Sequence, residues 1–94
     1  MTIIWTPRAR KHLLSISAYI ARDSPTAARQ TVDRIRDAVG HLAEHPAMGR
    51  PGRIEGTREL VITGTRYIVA YRVRKDALRI LAIIHSSQRW PDKL

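Results

Sequence analysis

The feature that most constrains the fold is a helix start signal that occurs twice in the first third of the chain. Thr6-Pro7 and Ser24-Pro25 each place a hydroxyl side chain that can cap a helix directly before a proline, which favours the first helical position. The first signal predicts a helix over residues 7–22, and the second predicts a helix that ends before Pro46. Because so little chain lies between them, the two helices should form an antiparallel hairpin.

Each predicted helix carries a stripe of apolar residues at helical spacing. The first stripe is Ala9, Leu13, Ile16 and Ile20, and the second is Ala28, Val32, Ile35, Val39 and Leu42. Such stripes are typical of helices that bury one face against another layer. We therefore expect both stripes in the core, together with Trp5 and Tyr19.

Four further segments have the composition or the alternation of β-strands: residues 2–6, 57–63, 66–74 and 78–84. Gly64-Thr65 predicts a tight turn between the second and third of them. The last segment is almost wholly apolar, as a strand covered on both faces would be. The stretch from 46 to 56 is rich in proline and glycine, lacks periodicity and predicts a loop.

The order of these elements predicts an α+β fold in a single domain over residues 1–94. A helical hairpin must bury its stripes against another layer, and the sheet is the one available. The expected architecture is an N-terminal strand and an antiparallel helical hairpin packed on a three- to four-stranded, mainly antiparallel sheet. The other sheet face would be solvated and carry arginines, and the C-terminal tail, residues 85–94, would run along an edge.

The chain is strongly basic: 17 Lys and Arg against 8 Asp and Glu give a formal net charge of +9. Both halves share the excess, so the charge belongs to the folded surface. Such a surface attracts polyanions, either nucleic acid or the ribosome, or an acidic protein segment. There is no cysteine, no signal-peptide pattern and no apolar run of membrane length, so we expect a cytoplasmic location and no membrane partner.

Five segments of the chain carry a family resemblance. In order they are WTPRARKHLLSISAYIARDSPTAAR, PAMGRPGR, GTREL, RYIVAYRV and LAIIHSSQRW. Together with the element order, they resemble toxins of the RelE/ParE superfamily, the small basic toxins of bacterial type II toxin–antitoxin systems. The resemblance implies a toxin that inhibits growth and that a cognate antitoxin neutralises. The acidic or amphipathic C-terminal segment of the antitoxin would wrap the toxin in a heterodimer or heterotetramer.

One branch of this superfamily cleaves mRNA on the ribosome. That reaction needs a base for the 2′-hydroxyl, cations for the phosphate and an acid for the leaving oxygen. The branch resemblance places cations where this chain has Glu59, Val61 and Ile68, and the C-terminal tyrosine of that branch is missing too. A second ribonuclease subtype uses a glutamate base and a His-Tyr pair, but here His85 is followed by Ser86.

The sequence therefore favours the ParE branch, which the resemblance describes as binding DNA gyrase without catalysis. If the chain is instead a ribosome-dependent endoribonuclease acting on mRNA, its candidate catalytic residues are Arg58, Glu59, His85 and Arg89. A third hypothesis, from another class, is a non-toxic basic interaction module. For Glu59 the sequence favours a structural role, as the cross-strand mate of an arginine, over that of a general base. The structural alternative for Arg58 is an ion pair at the sheet rim.

The candidate partner-binding residues are mainly cations: Arg8, Arg10, Lys11, Arg66, Arg72, Arg74, Arg89 and Trp90. The first three oppose the dipole of the first predicted helix, which suggests an acidic partner. Arg72 and Arg74 either solvate the open sheet face or bind a polyanion, and Trp90 either packs or binds. No cofactor, metal or small-molecule substrate is expected. Among the histidines only His41 and His45 are four residues apart, near a predicted helix end where unligated histidines are common.

Overall fold

The computed structural model describes residues 1–94 and confirms the α+β fold class. In chain order the elements are β1 Thr2–Trp5, α1 Pro7–Ala21, α2 Pro25–His41, β2 Arg50–Pro51, β3 Arg58–Val61, β4 Tyr67–Arg74 and β5 Ala77–His85. The strands form one sheet in the order β1-β5-β4-β3-β2. β1 is parallel to β5, and all other neighbours are antiparallel.

The sheet has five strands, one more than the three to four expected, because the predicted loop contributes β2. Arg50 pairs with Glu59, and Pro51 pairs with Arg58. A strand of two residues is too short to show alternation, and proline, which cannot donate a ladder hydrogen bond, is tolerated at a sheet edge. Periodicity therefore could not reveal this strand.

Both predicted helix caps are confirmed. Thr6 Oγ1 accepts a hydrogen bond from the Ala9 N–H at 3.2 Å, and Ser24 Oγ accepts one from the Ala27 N–H at 3.1 Å. Thr6 Oγ1 also donates to the Ile80 carbonyl oxygen at 2.7 Å. The residue that starts α1 therefore also fixes this helix to β5.

The main core lies between the helices and one face of the sheet, which we call the helix face. Its buried members are Ala9, Leu13, Ile35, Val39, Leu42, Leu60, Ile62, Val69, Tyr71, Leu78, Ile80 and Ile83. Both predicted stripes contribute to it, and Trp5 packs against it half-buried. The prediction for Tyr19 was wrong: this side chain is 68% exposed, because it lies beside the α1 stripe and not within it.

β5 is apolar along nearly its whole length because both of its faces are covered. A β-bulge opposite Ala70 and Tyr71 skips Leu81 in the pairing with β4. A bulge changes which side chains face each side of a sheet. Beyond it, Ala82 and Ile84 join Ala70 on the second sheet face, which we call the outer face.

The C-terminal tail covers this outer face, so the prediction that it runs along a sheet edge was wrong. Trp90 and Leu94 pack against Ala70, Ala82 and Ile84. These three buried side chains form an apolar cluster that gains by being removed from water, and the tail is the segment that covers it. No helix of the chain combines the length and the apolar character that crossing a membrane requires.

Candidate functional site

A groove of about 750 Å³ opens between β1 and the two helices. Most of its lining is apolar, and the residues are Ile3, Ile4, Trp5, Arg10, Leu13, Leu14, Arg36, Val39 and Gly40. Strand β1 forms one side, while α1 and α2 form the other. An open apolar groove beside two helices has the shape that accepts a helix or strand from a partner protein.

Leu14 and two arginines give this groove its chemical character. Leu14 is 72% exposed, although its neighbour Leu13 is buried. Arg10 on α1 and Arg36 on α2 also line the groove, and neither makes an ion pair within the chain. The groove therefore combines exposed apolar surface with uncompensated positive charge, which suits an amphipathic segment that carries acidic residues.

The sheet edge beside this groove is open as well. β1 is the first strand of the sheet and pairs only with β5. The backbone groups on its other side have no strand partner, and such an edge can accept an added strand. The groove and the open edge adjoin each other along Ile3–Trp5, so one partner segment could use both.

Glu59 is the cross-strand mate of an arginine, as predicted, and it is only 3% exposed. Its Oε1 lies 3.0 Å from Arg50 Nη2 and its Oε2 lies 3.2 Å from Arg53 Nε. The Arg53 backbone N–H also donates to Oε2 at 2.8 Å. Burial raises the pKa of this carboxyl, but the hydrogen bonds from Arg53 and Arg50 outweigh burial and hold the pKa below its ordinary value. Both carboxylate oxygens are thus engaged in structural contacts.

Arg53 also connects Glu59 to the C-terminal tail. Its guanidinium carbon lies 3.8 Å from the centre of the Trp90 ring, the geometry of a cation–π contact. The indole Nε1 of Trp90 is buried without a hydrogen-bond partner. Trp90 thus has a packing role, which the sequence left open beside a binding role.

His85 and Arg58 are held by other contacts. His85 Nδ1 accepts a hydrogen bond from the Ser87 N–H at 3.1 Å, and its ring packs edge-on against Tyr67 with 5.4 Å between the ring centres. Arg58 Nη1 donates to the Gly49 carbonyl oxygen at 2.7 Å. The ion pair expected for Arg58 at the sheet rim is absent, because this backbone carbonyl takes its guanidinium instead.

The four candidate catalytic residues do not form one constellation. Side chains alternate along a strand, so the neighbours Arg58 and Glu59 lie on opposite faces of β3. Glu59 pairs with Ala70 of the outer face, whereas His85 packs on Tyr67 at the helix face. Arg89 is exposed in the tail. A base, an acid and phosphate-binding cations are therefore not brought to one point.

Arg8 and Arg89 line a smaller crevice, of about 390 Å³, between the start of α1 and the tail. His12 lies in its wall, and Nδ1 of this histidine accepts a hydrogen bond from the Ile83 N–H at 3.1 Å. The register of β1 on β5 ends at Ile80. His12 thus accepts a backbone hydrogen bond from the edge of β5 just beyond the last residue that pairs with β1. Helical spacing could not reveal this role.

The contact made by His12 predicts a dependence of stability on pH. Burial lowers the pKa of His12, and the nearby charges of Arg8 and Lys11 lower it further. The unfolded chain therefore binds a proton at His12 more readily than the folded chain does. The stability that neutral His12 contributes is fully present above pH 6.5, the ordinary pKa of histidine, and it is lost as the pH falls toward the lower pKa of the folded state.

We therefore expect the free energy of unfolding in urea to decrease between pH 7.5 and pH 5.5, and to decrease less in His12→Asn, which keeps an acceptor but does not titrate. Equal pH dependence in the two proteins would contradict this role of His12. The comparison removes the contribution of the other three histidines, which both proteins share.

The remaining candidate partner-binding residues lie on separate surfaces. Arg10 lines the groove, and Lys11 is exposed on α1. Arg66 is exposed in the turn between β3 and β4, while Arg72 and Arg74 lie on the outer face near the end of β4. Nowhere do three or more His, Cys, Asp or Glu side chains meet in an arrangement that could hold a metal ion.

Sequence reasoning missed part of the groove. Leu14 and Arg36 lie outside the two apolar stripes, and neither was singled out as a binding residue. The available signal was a large aliphatic side chain on the polar side of an otherwise amphipathic helix, since an exposed leucine beside a groove often marks a binding surface.

Comparison with known proteins points in one direction. The family model described as "ParE toxin of type II toxin-antitoxin system, parDE" matches residues 3–90. The chain is 51% identical over 92 residues to "Putative toxin Y4kP" of Sinorhizobium fredii, which covers 98% of the chain and 95% of that protein. It is also 35% identical over 86 residues to "Toxin RelE2" of Caulobacter vibrioides, which covers 92% of the chain and 96% of the relative.

Among solved structures, a chain described as "Chromosomal ParDE TA system from P. aeruginosa" superposes with a TM-score of 0.80 and 27% sequence identity. The match covers 90% of this protein and 95% of that chain. The family model, the relatives and the fold agree with each other and with the sequence resemblance. This chain therefore belongs to the ParE toxin family of type II toxin–antitoxin systems, within the RelE/ParE superfamily.

Proposed function

We propose that this toxin inhibits growth by binding DNA gyrase or a related topoisomerase, and that it catalyses no reaction. The observation that carries the proposal is the engagement of Glu59, whose two carboxylate oxygens are taken by Arg50 and Arg53. The dispersal of Arg58, His85 and Arg89 adds support, because proton transfer needs its groups within hydrogen-bond reach of one substrate. Membership of the ParE family supports a target of this class.

The proposal includes neutralisation by a cognate antitoxin that occupies the groove and the open edge of β1. Exposed Leu14 and the apolar lining offer area for an amphipathic segment, while Arg10 and Arg36 attract its acidic residues. The related solved structure is described as a ParDE toxin–antitoxin system, which supports this kind of partner. The toxin would bind both the antitoxin and its target in the cytoplasm.

A supercoiling assay tests the choice of target. Purified toxin, free of its antitoxin, should abolish ATP-dependent supercoiling by gyrase as its concentration exceeds that of the enzyme. His85→Ala should inhibit as strongly as the wild type, since His85 packs on Tyr67 and has no catalytic task in this proposal. Gel analysis of relaxed plasmid DNA gives the measurement.

Two outcomes would contradict the proposal. In the first, supercoiling is undiminished, the wild-type toxin cleaves mRNA on translating ribosomes, and His85→Ala abolishes this cleavage. That result would identify the ribosome-dependent endoribonuclease instead. Unimpaired growth of a bacterial host after induced expression would identify a non-toxic interaction module.

A further inference from the structure

A group of cations lies on the outer face at the end where β4 turns into β5. Arg72 and Arg79 stand directly opposite each other across these strands, and Arg74 lies two residues further along β4 on the same face. Lys75 follows in the turn, with a left-handed backbone at φ 54°. We call Arg72, Arg74, Lys75 and Arg79 the arginine end of the sheet.

The positive charge at the arginine end is not balanced within the chain. Like charges directly opposite each other destabilise a sheet pair. The ion pairs of the protein both involve Glu59, and the nearest acidic residue in sequence, Asp76, makes none. One contact offsets part of the repulsion between Arg72 and Arg79: Arg72 Nε donates to the Gly56 carbonyl oxygen at 3.4 Å. An anion from outside the chain would relieve the remaining repulsion.

A shallow recess of about 720 Å³ lies among these cations. Its lining includes the small residues Thr2 and Ala77. Ala77 pairs with Arg74 on one side and with Thr2 on the other. Arg79 also lines the recess, as does Asp76, whose charge reduces the positive excess without cancelling it. The recess therefore has room for an anionic group beside several guanidinium and ammonium donors.

We propose that the arginine end binds the phosphate backbone of duplex DNA. Arginine and lysine contacts to phosphates provide most of the affinity of sequence-independent DNA binding. Proteins that bind single strands add aromatic platforms for base stacking, and no residue of the recess is aromatic. An acidic protein segment would need a buried apolar anchor. Ile4 is the one large aliphatic side chain in the lining of the recess, whereas most of the lining of the groove beside α1 is apolar.

This binding does not depend on the identity of the enzyme target, because gyrase is not needed to measure it. The recess adjoins the groove at Ile4, but Arg74, Lys75 and Arg79 do not line the groove. Failure of gyrase inhibition would leave DNA binding intact, and failure of DNA binding would leave gyrase inhibition intact. The two proposals are thus separable.

Fluorescence anisotropy with a short labelled duplex DNA of mixed sequence tests the proposal on the full-length toxin. Arg74→Gln/Arg79→Gln should weaken binding about tenfold near 0.1 M salt and reduce the slope of log K against log salt by about two. The control, Arg22→Gln/Arg29→Gln, removes the same charge from exposed positions at the end of α1 and on α2, and it should change affinity much less. Arg79→Lys keeps the charge and should retain most of the affinity.

Three results would overturn the proposal. Equal weakening by both double variants would mean that only the net charge matters. Tighter binding of single-stranded RNA, lost in Arg74→Gln/Arg79→Gln, would assign the surface to RNA. No measurable binding of the wild-type toxin to duplex DNA even at low salt would remove the interaction altogether. Circular dichroism should show that each variant retains the fold, since the four arginines replaced in the double variants are exposed.

Discussion

Leu14→Asp should weaken the binding of the cognate antitoxin about 100-fold and leave the toxin folded. Leu14 is 72% exposed in the free protein, so its replacement removes little that holds the fold together. An antitoxin segment in the groove would bury this side chain, and its burial would stabilise the complex by about 1.5–3 kcal/mol. An aspartate at that point would be desolvated and would repel an acidic partner, and a total of about 2.7 kcal/mol corresponds to the 100-fold loss. Titration calorimetry with the cognate antitoxin gives the dissociation constant.

Tyr19→Asp is the matched control for this change. Tyr19 lies on the same helix with a similar exposure of 68%, but it does not line the groove. Its replacement should change antitoxin affinity less than about threefold, within about 0.7 kcal/mol. If Leu14→Asp were bound as tightly as the wild type, the antitoxin would occupy another surface, and the assignment of the groove would be wrong.

Gly49→Ala should lower the free energy of unfolding by about 3 kcal/mol, a large part of the roughly 5–15 kcal/mol that stabilises most native proteins. A Cβ at this position would lie 2.6 Å from the hydroxyl oxygen of Tyr71, which is fully buried and cannot move aside. That hydroxyl accepts a hydrogen bond from the Gly49 N–H at 2.8 Å and donates to the Pro46 carbonyl oxygen at 2.7 Å. Displacing it would leave buried polar groups without partners.

The matched control for this prediction is Gly40→Ala. A Cβ on Gly40, which lies near the end of α2, would meet no atom within 4 Å. Because alanine favours the helix more than glycine does, this variant should gain about 0.5–1 kcal/mol. Urea unfolding curves of the three proteins provide the measurement. A Gly49→Ala protein as stable as the wild type would show that the loop between α2 and β2 rearranges at no cost.

The helical hairpin illustrates how far local pattern reaches. Thr6 and Ser24 cap their helices through contacts to residues three positions later, so the sequence near each cap contains the whole signal. The stripe residues of α1 and α2 enter the core for the same reason, because helical spacing alone decides which side chains share a face. Strands β3, β4 and β5 were predicted by alternation or by continuous apolar character, which are local properties too.

The candidate site depended more on contacts between distant segments. Nothing near Glu59 in the sequence indicates that Arg53 reaches both this carboxylate and the ring of Trp90. The sequence favoured a structural carboxylate over a free base at Glu59, but only the structure identifies Arg50 and Arg53 as the partners of this carboxylate. Likewise, the role of His12 depends on where β1 stops along β5, which no spacing within α1 encodes.

By itself, the sequence determined the helices, the main strands, the basic surface and the family resemblance, because caps, periodicity and charge are properties of neighbouring residues. Only the tertiary structure decided that a fifth strand forms, that the tail covers the outer face and that Tyr19 stays exposed. It also decided that the candidate catalytic residues are dispersed over the two sheet faces and the tail. These features depend on pairings between residues far apart along the chain. Such pairings are decided by which surfaces can be buried together, and that is a property of the whole fold.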